Sequence, residues 1–277
     1  MVQVSFFCSA WARQWPPVEV PNDKMVNYDE GSPSGAPAMH DEKTLRGKTA
    51  LVTGGDRGIG LAIVRRLGSL GARVAISGRN QAALDSAATQ LRSAGIDAGP
   101  FAADLTDRAE VRRLAEHVAQ ALGNPDIVVN NAGLGVFRPV HELGEADWDK
   151  MLDTNLKAVF LLIKHFAPAM IRRGSGDIIN IGSLAGKNAF VGGSGYCASK
   201  WGLMGLTYSA AEDLREYGVR VSVVCPGTVA TEFSPHSGKD PSKMLQAEDV
   251  AHAVELLVTQ SRQSFISEID VRPVRKP

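Results

Sequence analysis

KTALVTGGDRGIG, residues 48–60, is the stretch whose reading decides the fold. It starts as a short apolar run, crosses a turn containing Gly54, Gly55, Gly58 and Gly60, and opens a helical segment over 59–70. Glycine tolerates positive φ and lets backbone N–H groups approach a ligand closely. A helix N-terminus behind such a turn stabilises an anion, a pyrophosphate above all. A tight turn alone has many uses, but a strand before it and a helix after it supply the setting that dinucleotide binding needs. The glycines Gly54, Gly58 and Gly60 give GxxxGxG rather than GxGxxG.

Outward from this turn the same unit repeats. RVAISG (73–78) precedes an alanine-rich helix (81–94), AGPFAAD (98–104) precedes a helix over 107–122, and DIVVNNAG ends at Gly133. A long helical segment (148–171) leads to DIINIGS (177–183), and GGSGYCASK (192–200) opens a helix reaching about residue 217. VRVSVVCPG (219–227), a helix over 247–259 and ISEIDVRP (266–273) complete the pattern. The strand candidates are apolar throughout and rich in Val and Ile, so both faces are expected to be buried, as in a parallel sheet covered by helices. Strand–helix alternation of this kind predicts a doubly wound α/β fold, with ligands held at the C-terminal ends of the strands. The distinctive residues fall at those ends, which predicts a single crevice. No repeat or second domain is visible. Residues 1–45, punctuated by GSPSGAPA (31–38), read as an irregular extension, and 46–277 as the folded domain.

Composition narrows the function. The 277 residues carry 30 basic and 30 acidic side chains, a zero balance that argues against nucleic-acid or anionic-membrane binding. No apolar run is long enough to span a membrane, and the N-terminus makes a poor secretory signal. Cys8, Cys197 and Cys225 are far apart and lack metal-type spacing, also with the six histidines, which predicts no metal and fits a reduced cytoplasmic compartment. Cys225 reads as a buried small hydrophobe, and Cys197 sits beside Tyr196. His117, His165 and His252 read as helix-surface residues, whereas His141 and His236 lie in loops near the rim and can meet substrate.

The end of the second strand bears on the dinucleotide. An NAD site places a carboxylate there to accept the ribose 2′-OH. Here Ser77-Gly78-Arg79 has none, and Arg79 with Arg57 can converge on a 2′-phosphate. The alternative is that both are solvated surface arginines. NADP(H) is expected over NAD(H).

Tyr196 and Lys200 share a helix face, a spacing that also suits an ordinary amphipathic surface. Free tyrosine titrates near pH ~10, so proton shuttling at neutral pH wants a shift of roughly three units. A lysine ammonium at ~5 Å in an effective dielectric of ~20 offers on the order of 3 kcal/mol, or about two units. Ser183 at a strand end can hydrogen-bond a substrate oxygen. Asn155 is polar within an apolar helical segment, and Asn130-Asn131-Ala132-Gly133 can brace the rim.

TGGDRGIG, AAD ending at Asp104, NNAG, Asn155, Ser183, YCASK and PGTVAT (226–231), in this order, resemble the short-chain dehydrogenase/reductase (SDR) family over about residues 45–272. The resemblance implies a single Rossmann-type domain with a mostly parallel seven-stranded sheet and helices on both faces. It implies Tyr196 as general acid/base, and Lys200 as ribose ligand and depressor of the tyrosine pKa. Ser183 would orient the carbonyl, and Asn155 would hold a water relay. Gly54, Arg57, Gly58, Ile59 and Gly60 would hold the cofactor phosphates, and Asp104 and Leu105 would flank the adenine. Asn131 and Gly133 would line the adenosine ribose, and Pro226, Gly227, Val229 and Thr231 would hold the nicotinamide.

The activity so implied is NADPH-dependent interconversion of a ketone and a secondary alcohol, 3-oxoacyl-(acyl-carrier-protein) reductase-like, on a small-molecule substrate in a homodimer or homotetramer. The alternative is a non-catalytic NADP(H)-binding redox-sensing or regulatory protein of the same fold. The polar stretch between Thr231 and Ala247 suggests an open pocket or a lid. The final strand lacks the glycine-rich ending frequent in the family, and the tail RPVRKP (272–277) reads as solvated.

Overall fold

The computed structural model describes residues 44–233 and 240–277. Residues 1–43 of the expected N-terminal extension, and residues 234–239 of the stretch that suggested a lid, His236 among them, lie outside the described residues. Seven strands form one sheet: β1 Thr49–Thr53, β2 Arg73–Gly78, β3 Ala98–Ala102, β4 Ile127–Asn130, β5 Gly176–Ile181, β6 Val219–Pro226 and β7 Glu268–Val271. Their order is β3-β2-β1-β4-β5-β6-β7, and every pairing is parallel. The order reverses between β1 and β4, which opens a crevice above their C-terminal ends.

Helices α1 Gly58–Ser69, α2 Gln81–Ser93 and α7 Ala247–Thr259 cover one face; α3 Arg108–Leu122, α5 Ala158–Arg173 and α6 Ser194–Leu214 cover the other. Strands β1 to β6 feed both layers, while β7 packs on the α1/α2/α7 side through Ile269 and Val271. In β1, Ala50 and Val52 pack with Ile63, Leu67 and Val254, whereas Leu51 packs with Leu114, Leu162 and Phe166. Burial on two sides is why these strands read as unbroken apolar runs. Each large side chain so buried contributes about 1.5–3 kcal/mol.

The helix expected over 148–171 is interrupted. It consists of α4 Glu145–Leu152, a π-helical turn Asp153–Lys157, and α5. This widened turn holds Asn155, fully enclosed, at the sheet end. A buried polar ladder fixes α6 over the sheet. Asn130 Nδ2 donates to Asn180 Oδ1 at 2.8 Å, Asn180 Nδ2 to Thr207 Oγ1 at 2.8 Å, and Thr207 Oγ1 to the Leu203 carbonyl at 2.7 Å. Such bonds are directional, so they set the helix in a way apolar packing cannot.

Candidate active site

The glycine turn between β1 and α1 is built for contact with backbone. Gly58 has φ +51°, a left-handed conformation that favours glycine. A Cβ on Gly60 would stand 1.8 Å from the Gly54 carbonyl oxygen, so α1 rests on the turn with no room for any side chain. Asn131 locks the arrangement from β4: its Nδ2 donates to the Thr53 carbonyl at 2.9 Å and the Gly54 carbonyl at 3.0 Å. Thr53 Oγ1 in turn accepts from the backbone N–H of Asn131 and of Ala132, both at 3.0 Å. Asn131, expected beside a ribose, therefore also braces the turn. This cradle leaves helix N–H groups facing the crevice, the chemistry a pyrophosphate requires.

At the β2 end, Arg79 and Arg57 both line the crevice. Arg57 Nη1 lies 3.3 Å from Glu232 Oε2, an ion pair with both side chains well exposed. Asp56 lies against Gly78, so carboxylates, Asp56 and Glu232, stand beside the two guanidinium groups here. Asp104, after β3, holds Thr106 through its backbone N–H at 2.9 Å and its hydroxyl at 2.8 Å. The backbone bond from Thr106 chiefly holds the Asp104 carboxyl below its usual value.

The four residues expected to carry chemistry meet above β4 and β5. Tyr196 lies in the first turn of α6 and is buried, and it lines the crevice together with Ser183, whose hydroxyl acts to lower the phenol's pKa. Ser183 caps the 3₁₀ turn Leu184–Gly186, its Oγ accepting from the Ala185 N–H at 3.1 Å. Lys200 Nζ, one helical turn past Tyr196, donates to the Ile181 carbonyl at 2.8 Å and stands 5.9 Å from the centre of the Tyr196 ring. Asn155 accepts from the Leu134 N–H at 2.9 Å and donates to the Leu134 carbonyl at 2.8 Å and to Ser199 Oγ at 2.9 Å. Its amide is thus committed to the loop after β4. Every expected site residue except Asn155 lines one crevice of about 1980 Å³. That exceeds the roughly 300–1,000 Å³ of a pocket for one small ligand, leaving room for a dinucleotide and a second molecule.

Electrostatics correct one expectation. Burial pushes the Tyr196 phenol up to about 12, with the Ser183 hydrogen bond pulling the other way. Burial likewise pulls the Lys200 ammonium down to about 8. The expected depression of the tyrosine by the lysine is therefore not what these residues produce among themselves. Each charged form loses its hydration in the enclosed site, and that cost is the largest cause of both shifts. Tyr196 is a neutral phenol across the neutral range, the form that gives up a proton.

Three aromatic residues went unread in the sequence. Phe137 meets the Tyr196 ring edge-on, centroids 5.5 Å apart at 71°; Phe233 tilts against it at 5.8 Å; Phe190 packs on Phe137 at 5.9 Å. They arrive from three separate loops, and only their position beside strand-end motifs could have flagged them. The tail is exposed as expected, but residues 272–277 also line the crevice. His141 is exposed beside Glu142 and does not line it. Cys197 and Cys225 are buried free thiols; Cys197 points to the Asn188 carbonyl and does not line the crevice either.

An all-parallel, doubly wound sheet with a glycine cradle and a Ser–Tyr–Lys cluster at its rim defines a dinucleotide-type oxidoreductase. Residues 48–242 match the short chain dehydrogenase family, to which this chain belongs. An oxidoreductase of Staphylococcus aureus (strain MRSA252) is 34% identical over 83% of this chain and 99% of its own length. The solved structure of a metagenomic short-chain oxidoreductase in complex with NADP is 47% identical, with a TM-score of 0.75, covering 84% of this chain and all of that one. A blue fluorescent protein from a metagenomic library, solved with NADPH, is 33% identical with a TM-score of 0.77, covering 83% of this chain and 98% of that one. The alcohol dehydrogenase of Thermococcus sibiricus, solved with 5-hydroxy-NADP, is 30% identical with a TM-score of 0.76 over 83% of this chain and 98% of that one.

Proposed function

We propose that this oxidoreductase reduces a ketone to a secondary alcohol with NADPH, within the 3-oxoacyl thioester reductase-like class. The observation that carries the reading is the neutral, buried Tyr196 phenol, which shares with Ser183 and Lys200 the crevice that the glycine turn opens. The cradle of Gly54, Gly58 and Gly60 fits a pyrophosphate, and Arg57 and Arg79 fit a 2′-phosphate. NADP recurs in the solved relatives. Asp104 and Leu105 face the adenine side, Asn131 and Gly133 the ribose side, and Pro226, Gly227, Val229 and Thr231 the nicotinamide side.

When bound, the nicotinamide supplies the hydride. Ser183 holds the substrate carbonyl oxygen, and Tyr196 gives its phenolic proton to that oxygen as negative charge develops. Lys200, one helical turn away, stabilises the phenolate left behind, passes a proton back to it and would hold the ribose. Asn155 keeps the loop after β4 in place and supports the path by which Lys200 regains a proton. Burial keeps Tyr196 protonated across the neutral range, so the proton is in place when a substrate oxygen needs it.

Trp148, Phe160, Trp201 and Tyr208 expose large rings along α4, α5 and α6. This supports a homodimer or homotetramer through those helices, which light scattering checks. Among the described residues no helix is long and apolar enough to cross a membrane.

Replacing Tyr196 with Phe tests the function. The expected result is loss of ketone reduction by a factor of about 10²–10⁴ with NADPH binding retained by fluorescence titration. Full turnover in that variant would sink the proposal and favour a regulatory role.

A further inference from the structure

We propose that the β7 end of the crevice is an anion-recognition site for the substrate, so that the substrate is a ketone on an apolar body bearing a carboxylate or a phosphate. This rests on reading the crevice as that of a ketone reductase. Two regions of the rim carry it.

The first is aromatic. Phe137 and Phe233 contact the Tyr196 ring, and Phe190 extends the wall outward. Phe190 and Phe233 are 47% and 44% exposed, apolar surface held open beside a proton donor. Such a wall recognises an acyl or aryl body.

The second is cationic. The chain leaves β7 and docks on the turn after β6: the Gly227 N–H donates to the Val271 carbonyl at 2.8 Å, and Pro273 packs close enough that a Cβ on Gly227 would stand 3.1 Å from its Cδ. Arg272, Arg275 and Lys276 then line the crevice. The nearby carboxylates are already engaged. Glu268 is bound by Lys187 and Tyr208; Asp270 by Lys187 at 2.5 Å, with Arg272 at 3.4 Å; Glu232 by Arg57. Among the described residues no carboxylate stands within ion-pair distance of Arg275 or Lys276. Among the described residues, then, these two cations have no ion-pair partner.

The strand order separates this cluster from the arginines of the cofactor end. Arg79 follows β2, the tail follows β7, and β1, β4, β5 and β6 lie between them. On the proposed function, a dinucleotide with its phosphate ester at β2 would extend its nicotinamide toward the sheet centre. The cations at β7 then face whatever lies beyond it, which is the substrate.

The test uses the full-length protein, NADPH and three ketones sharing one body: 4-acetylbenzoate, 4-acetylphenyl phosphate and methyl 4-acetylbenzoate. We expect kcat/KM for at least one anion to exceed that of the neutral ester on the order of tenfold, the combined effect of two exposed charge pairs, and to fall with added salt. Which anion gains separates carboxylate from phosphate. In the double variant Arg275→Gln, Lys276→Gln the anion-to-ester ratio should collapse toward one, with the NADPH dissociation constant unmoved. An ester reduced as well as both anions overturns the inference and leaves the ketone reductase reading intact. Weakened NADPH binding in the double variant also overturns it, by assigning the cations to the cofactor. If no ketone is reduced, calorimetric binding of 4-acetylbenzoate and 4-acetylphenyl phosphate to the NADP-saturated protein decides. Either anion bound, and lost in the double variant, sustains the site while the reductase reading fails; neither bound, or binding that survives the double variant, overturns both.

Discussion

Lys200 donates through Nζ to the Ile181 carbonyl at 2.8 Å, while its ammonium stands 5.9 Å from the Tyr196 ring centre. The strand end, rather than the phenol, fixes the position of this cation. Lys200 is thereby held ready beside Tyr196 without a contact that would have to break during turnover.

That placement is costly to the fold. With the ammonium pulled from its ordinary 10.5 to about 8, the unfolded chain binds the proton more tightly than the native one between those pH values. Stability therefore carries the full burden below pH 8 and recovers as pH rises toward 10.5, by up to about 3 kcal/mol. Lys200→Met should abolish turnover yet raise the melting temperature at pH 7 by several degrees, a gain that shrinks at pH 10. Calorimetric melts at both pH values check this; a variant destabilised at pH 7 contradicts it.

The same two groups set the rate profile. Tyr196 stays protonated until about pH 12, and Lys200 loses its charge near 8. Ketone reduction should stay level between about pH 6 and 8, then decline as the cation that stabilises the phenolate disappears. Alcohol oxidation, which needs the phenolate, should climb with pH. A reductive profile that rises through pH 9 would contradict this assignment.

Asn155 satisfies both polar groups of the Leu134 backbone. Asn155→Ala leaves an N–H, a carbonyl and the Ser199 hydroxyl without this partner. The expected loss is about 3 kcal/mol of stability together with a fall in kcat. Unfolding in urea, run beside kinetics, reads both. A variant with native stability and lowered kcat alone would assign Asn155 purely to proton transfer.

Glu232 pairs with Arg57, which the proposed function assigns to the cofactor's 2′-phosphate, so the two would compete. Glu232→Gln should lower the NADPH KM about two- to threefold, since exposed pairs of this kind are worth less than about 1 kcal/mol. Arg79→Gln should act oppositely, raising the NADPH KM while leaving that for NADH nearly unchanged. Equal effects on both cofactors would mean that these arginines do not read the 2′-phosphate.

The strands were legible because burial on both faces writes itself as uninterrupted apolar runs such as VRVSVVC, and the rim was legible because turn chemistry must follow each strand. Asn155 was legible as a polar interruption, but the π-helical turn that presents it was not, since one extra residue per turn barely alters apolar spacing. Phe137, Phe190 and Phe233 converge only in three dimensions. The tyrosine pKa was misjudged because pairwise attraction can be estimated from spacing, whereas loss of hydration depends on what encloses the pair.

The contact between Gly60 and the Gly54 carbonyl leaves the dinucleotide cradle no freedom to vary. Whatever diversification this scaffold undergoes must happen around the cradle, in the side chains at the β2 end and in the six residues that follow β7. Exchanging residues 272–277 between relatives should therefore transplant substrate preference as a module, with cofactor affinity carried over.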